Sequence, residues 1–168
     1  MTLKTVEVLT LSLQTCDRLL LPLLEDLRDA PLERSVPERG NHAHWIVGHL
    51  VYSEGLIVHE IAQGVPNPAE DLREPFRGGS IPETTGDGYP PYDQLLERYL
   101  IARGETLRIL SSLDEKELAA KPSELSAKYD SFFPHKAACF MVCGTHGMHH
   151  CGQLADIRCR IGRPRLIA

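Results

Sequence analysis

Near the end of the chain, the segment Thr145-His146-Gly147-Met148-His149-His150-Cys151-Gly152-Gln153 lies inside an apolar run whose spacing predicts a helix. His146 and His150 are four residues apart, so at about 100° per residue they fall within roughly 40° of each other on one face, one turn apart. Two neutral imidazoles in that arrangement can grip one divalent transition metal, with a third ligand required from another helix. His49, in the segment Asn41-His42-Ala43-His44-Trp45-Ile46-Val47-Gly48-His49-Leu50, is the available third ligand. All eight histidines fall in two clusters, four within 42–59 and four within 135–150. A three-histidine metal site built from His49, His146 and His150 is the leading reading of the chain.

Several function classes are disfavoured. The 168 residues fit a single domain spanning 1–168, long enough to bury a core. The net charge of −5 argues against a sequence-independent nucleic-acid binder, which needs a basic face. The one basic concentration, Arg158, Arg160, Arg163 and Arg165, suits a helix C-terminus, with a small anion-binding patch as the alternative. No apolar stretch reaches the roughly 18 residues of a membrane span, and the start of the chain lacks the pattern of a signal peptide. Five cysteines, Cys16, Cys139, Cys143, Cys151 and Cys159, make an odd count with no C-x-x-C pair. Reduced thiols in a cytoplasm fit that pattern best.

The hydrophobic pattern predicts an all-α chain. Leu3 to Leu27 carry apolar residues at helical spacing, with Pro22 as a possible kink. Asn41 is the expected N-cap of a second helix running to Gln63 and stopped by Gly64. Gly64 to Pro91 is rich in proline and glycine and reads as a crossover strapped over the bundle, anchored by Leu72, Phe76, Ile81 and Tyr89. A third helix is expected from Tyr92 to Leu113, with Leu95, Leu96, Tyr99, Leu100, Leu107, Ile109 and Leu110 facing in. Asp114–Leu118 reads as a short helical turn, and the segment to Ser131 as irregular. Pro134 suits the first turn of a last helix that reaches Ile161 and is closed by Gly162 and Pro164. Four long helices with a long crossover between the second and third make a four-helix bundle the natural packing.

On the second helix, His42, Trp45, His49, Ser53 and Glu60 share one line. On the last, His135, Cys139, His146, His150, Gln153 and Ile157 do. Polar residues in the middle of inward stripes need a reason, because burial without partners is costly. A lone histidine there is more often a hydrogen-bonded core residue. Three together, including an i, i+4 pair, point to a metal. Trp45, Ser53 and Gln153 are the candidate substrate-binding residues, and no residue is assigned as catalytic. Cys143, one turn before His146, is a minor candidate for a thiolate ligand, and His149 reads as an outer or surface residue. Glycines 48, 144, 147 and 152 flank the proposed ligands, where glycine costs about 1 kcal/mol relative to alanine. Close helix approach, or room for a bound molecule, would explain them.

Taken together, Trp45-x-x-x-His49-Leu50 and His146-x-x-x-His150-x-Gly152-Gln153, followed by Arg158 and Gly162, resemble the DinB/YfiT-like superfamily. The resemblance covers nearly the whole chain in helix order. It implies a four-helix bundle that binds a divalent metal, nickel or zinc, through one histidine of the second helix and two of the last, here His49, His146 and His150. The family pattern commonly has arginine before the Gly-Gln pair, where this chain has Cys151. The resemblance also implies a small-molecule substrate and a homodimer, for which apolar residues of the first helix such as Leu19 and Leu21, expected to be exposed, would supply surface. Among the family's characterised branches are enzymes that use low-molecular-weight thiols such as mycothiol or bacillithiol.

Three protein ligands leave open positions on a metal, the mark of a catalytic rather than a closed structural site. An open position can activate water or stabilise a thiolate. The same ligands serve both uses; the family resemblance implies the second, a metal-dependent thiol S-transferase acting on small electrophiles, with a low-molecular-weight thiol as co-substrate. The alternatives are a metal-dependent hydrolase, disfavoured by the lack of a carboxylate next to His146 or His150, and a non-catalytic metal-binding stress protein.

Overall fold

In the computed structural model, which describes residues 2–37, 39–123, 131–164 and 166, the apolar stripes of the sequence become helices throughout. The elements are α1 (Thr5–Asp26), α2 (Ala43–Gly55), α3 (Arg73–Phe76), α4 (Tyr92–Ser112), α5 (Glu115–Ala119) and α6 (Lys136–Arg160). There is no strand among the described residues, only an isolated bridge between Arg34 and His42. Among the described residues no helix is long and apolar enough to cross a membrane. Pro22 is absorbed within α1, which continues to Asp26. The chain after α2 does not stay α-helical: Leu56–Gln63 winds as a π-helix before Gly64, at φ 71°, ends it in the left-handed region.

Specific contacts give the helix directions. Ser12 lies against Gly144, Cys16 against Gly147, and Asp26 against Arg158, so α1 and α6 run parallel. Asn41 bonds Gln153 while His49 meets His146, so α2 and α6 are antiparallel. His44 meets Tyr92 and Glu54 meets Arg103, which makes α2 and α4 parallel. A parallel neighbour cannot be reached by a tight turn, and the long 64–91 connection supplies the return.

Two apolar clusters fill the interior. One gathers Leu20, Leu24, Ile46, Phe76 and Tyr99; the other gathers Leu13, Val58, Leu110, Leu118 and Phe140. Charge is buried as well. Arg103 of α4 bonds the Tyr99 hydroxyl at 2.9 Å, pairs with Glu54 at 3.1 Å and reaches Asp17 at 3.4 Å. The Tyr99 hydroxyl donates to Asp17 at 2.8 Å. This knot ties α1, α2 and α4 in one register, and removing one partner of such a buried pair typically costs about 3–5 kcal/mol.

Several expectations change at this level. Leu100 is 49% exposed and Ile81 is 81% exposed, so neither anchors the core, while Leu107 is half-buried. Leu19 and Leu21 are half-buried against the first cluster rather than exposed. The cap of α2 is His42, not Asn41, and Pro134 lies just outside α6, whose N-cap is His135. Arg158, Arg160 and Arg163 are spent on Asp26, Glu33 and Asp29, which favours the helix-end account of that basic group over an anion patch. Arg165 and most of the segment before Ser131 lie outside the described residues.

Candidate metal centre

His49, His146 and His150 meet between α2 and α6 as the only such group of metal-ligating side chains found among the described residues. Their candidate ligand atoms all lie within 4.8 Å of one another. The His146 Nε2 atom is 3.1 Å from His49 Nε2 and 3.0 Å from His150 Nε2. Imidazoles bound to one tetrahedral zinc ion at about 2.0–2.1 Å each stand roughly 3.3 Å apart, within a few tenths of those separations.

The opposite edges of the rings fix which nitrogen carries the proton. His49 Nδ1 donates to the Phe76 carbonyl at 2.7 Å. His150 Nδ1 donates to Gln153 Oε1 at 3.0 Å, and the same oxygen accepts from Asn41 Nδ2 at 3.2 Å. Both Nε2 atoms therefore present lone pairs, and both face His146 Nε2, which carries at most one hydrogen. His146 can serve only one of them, and the other hydrogen within reach is that of the Ser53 hydroxyl, 3.5 Å from His49 Nε2. A cation shared by the three nitrogens satisfies all of them, and the Nδ1–H contacts are the outer hydrogen bonds that orient metal-binding imidazoles. By this test the residues fit a divalent metal ion.

Electrostatics hold the rings in the ligand form. Burial, reinforced by the neighbouring imidazoles, pushes His150 down to about 2, and burial chiefly pushes His146 down to about 4. Burial also lowers His49, against the pull of the Phe76 carbonyl. The Cys143 thiol is pushed well up by burial, so it stays neutral and is a poor ligand.

The crossover is pinned to α2 by four ring nitrogens. His42 Nε2 bonds the Glu83 carbonyl and His44 Nε2 the Pro90 carbonyl, each at 2.8 Å. Trp45 Nε1 donates to the Pro75 carbonyl at 2.9 Å, and His49 Nδ1 reaches Phe76 next door. Gly48 makes room for this strap: a Cβ there would stand 2.4 Å from the Phe76 ring. The Trp45 indole stacks on His49, centroids 4.5 Å apart and planes 13° apart.

Of the other sequence candidates, Ser53 Oγ lies 3.4 Å from His49 Nδ1, inside the site. Gln153 touches both His150 and His149, the latter exposed. His135 caps α6 through its Nδ1 and takes no part, and Cys139 is sealed in the second apolar cluster. Glu60 is half-buried and outside the ligand group. Sequence reasoning missed Phe76, whose contribution is a main-chain carbonyl and leaves no residue-type signal. It also missed Asn41 as the partner of Gln153.

A family model described as the DinB superfamily matches residues 12–154 of the chain. No curated protein matches it.

Proposed function

The chain belongs to the DinB superfamily, and on that premise we propose that it is a metal-dependent thiol S-transferase, a four-helix bundle that joins a low-molecular-weight thiol to a small electrophile. The observation that carries this reading is the convergence of three neutral imidazoles, with no carboxylate in the group. Nickel or zinc bound there would supply an open Lewis-acidic position that favours the thiolate form of a thiol near neutral pH.

The chain's own residues would do the rest. His49, His146 and His150 hold the ion, while the Phe76 carbonyl and Gln153 fix the ring orientations. The Trp45 indole covers one face of His49, and the crossover closes over it, which limits water at the site. Ser53, Gln153 and Trp45 are the side chains placed to meet a substrate. A hydrolase would need a base to take a proton from water. The buried carboxylate of Glu54 and the half-buried one of Asp17 are committed to Arg103, which supports the thiol reading over hydrolysis. Homodimer formation is part of the proposal; the exposed Leu3, Val8 and Leu11 at the start of α1 are the apolar surface available for it.

The test is conjugation of physiological thiols to a small electrophile by purified protein. Activity should vanish with chelator and with His49→Ala, and survive Cys143→Ala. Equal conjugation by metal-free protein overturns the reading. Hydrolysis of an ester or amide with no thiol used replaces it by the hydrolase, and inertness toward all of these by a non-catalytic metal-binding protein.

A further inference from the structure

The proposed chemistry uses none of the five cysteines, yet two of them face each other across the α1–α6 interface. Cys16 on α1 is 1% exposed and Cys151 on α6 is 8% exposed, and both belong to the same apolar cluster. The helices meet over glycine here. A Cβ on Gly147, one turn before Cys151, would stand 2.4 Å from Cys16 Sγ, and one on Gly144 would stand 3.0 Å from Ser12 Oγ. Cys16 Sγ therefore lies within one turn of Cys151 along α6, and the two thiols are neighbours in the same apolar cluster. Cys151 also borders a cleft of about 520 Å³ along α1 and α6, lined by Leu19, Met148 and Cys159, whereas Cys16 lies behind it.

We propose that Cys16 and Cys151 are a site of reversible oxidation, at which a small peroxide entering this cleft converts the two thiols to a disulfide joining α1 to α6. The Cys151 sulfur attacks one peroxide oxygen, the O–O bond breaks, and the thiol proton leaves with the departing oxygen as water when the peroxide is hydrogen peroxide. Cys151 is then a sulfenic acid. The Cys16 sulfur attacks that sulfur, and the hydroxyl leaves with the Cys16 proton as a second water. Two thiols and one peroxide give one disulfide and two waters; the sulfurs lose two electrons and the peroxide gains them. No other cysteine competes for Cys151 within the chain. Cys159 is eight residues along the same helix, about 12 Å away, and Cys139 and Cys143 sit in the other apolar cluster. The linked helix is the one that carries His146 and His150, but the inference does not depend on a metal being bound there.

The experiment treats the full chain with hydrogen peroxide, blocks free thiols by alkylation and maps peptides without reduction. The expected product is a cross-linked pair containing Cys16 and Cys151, lighter by about two mass units for the two thiol hydrogens lost, and reversed by dithiothreitol. Cys159→Ser should give the same link. Cys16→Ser should not, and should instead leave a Cys151 sulfenic acid that dimedone traps. Modification confined to Cys159, or alkylation of both Cys16 and Cys151 once the oxidised protein is unfolded, overturns the proposal. If Cys16→Ser does not fold by circular dichroism, the wild-type map decides alone.

Discussion

His49 gives its Nδ1 proton to the main-chain carbonyl of Phe76 at 2.7 Å, and this one bond turns its Nε2 lone pair toward His146. The carbonyl is held where it is because the Phe76 ring lies on Gly48, the residue before His49. Crossover and candidate metal centre are therefore coupled: what moves Phe76 rotates one of the three imidazoles.

Gly48→Ala tests that coupling. The new methyl would fall 2.4–2.6 Å from three atoms of a fully buried ring, so the ring must move. Overpacking of this kind costs about 1–3 kcal/mol. The expected outcome is a lower melting temperature together with weaker metal binding, although no ligand is changed. Calorimetric titration with zinc checks the second part; unchanged affinity in a destabilised protein would separate the strap from the centre.

Gln153→Leu removes the oxygen that receives His150 Nδ1–H while keeping the volume. Loss of such an outer partner typically weakens metal binding about 10–100-fold, and the same range is expected here. His150→Ala should cost more, because it removes the ligand itself. A competition assay against a chromophoric chelator compares the two.

The helices, the crossover and the three histidines were legible in the sequence because each rests on spacing: apolar residues every three or four positions, proline and glycine between them, and an i, i+4 pair. What escaped rests on three-dimensional position. Arg103 shares an inward stripe with Tyr99, Thr106 and Leu110, but arginine on a stripe reads as a solvated edge until Glu54 and Asp17 are found around it. His42 shares the line of His49 on the second helix, yet its ring is a cap rather than part of the histidine group. Ile81 and Leu100 looked like anchors, yet a proline-rich strap and a helix edge leave them in solvent.

The cap at His42 predicts a pH effect. Its Nδ1 accepts from the Trp45 amide and its Nε2 donates to the Glu83 carbonyl, so the ring must be neutral to do both. Burial pushes it down from 6.5 to about 4. The unfolded chain therefore binds a proton that the folded one refuses between those values. This stability is fully present above about pH 6.5 and falls as pH drops toward 4, by on the order of 3 kcal/mol at about 1.4 kcal/mol per unit. His42→Asn keeps a capping acceptor but cannot titrate. Urea melts at pH 7 and pH 4.5 should show a smaller acid loss in the variant than in the wild type; equal losses would assign the effect elsewhere.

Whether three imidazoles of two helices hold one metal ion is measured by elemental analysis of protein purified without an affinity tag. The expected result is about one divalent transition metal, nickel or zinc, per chain in the wild type and loss of most of it in His150→Ala, with the helical circular dichroism of the variant retained. Full occupancy in a folded His150→Ala protein would contradict it.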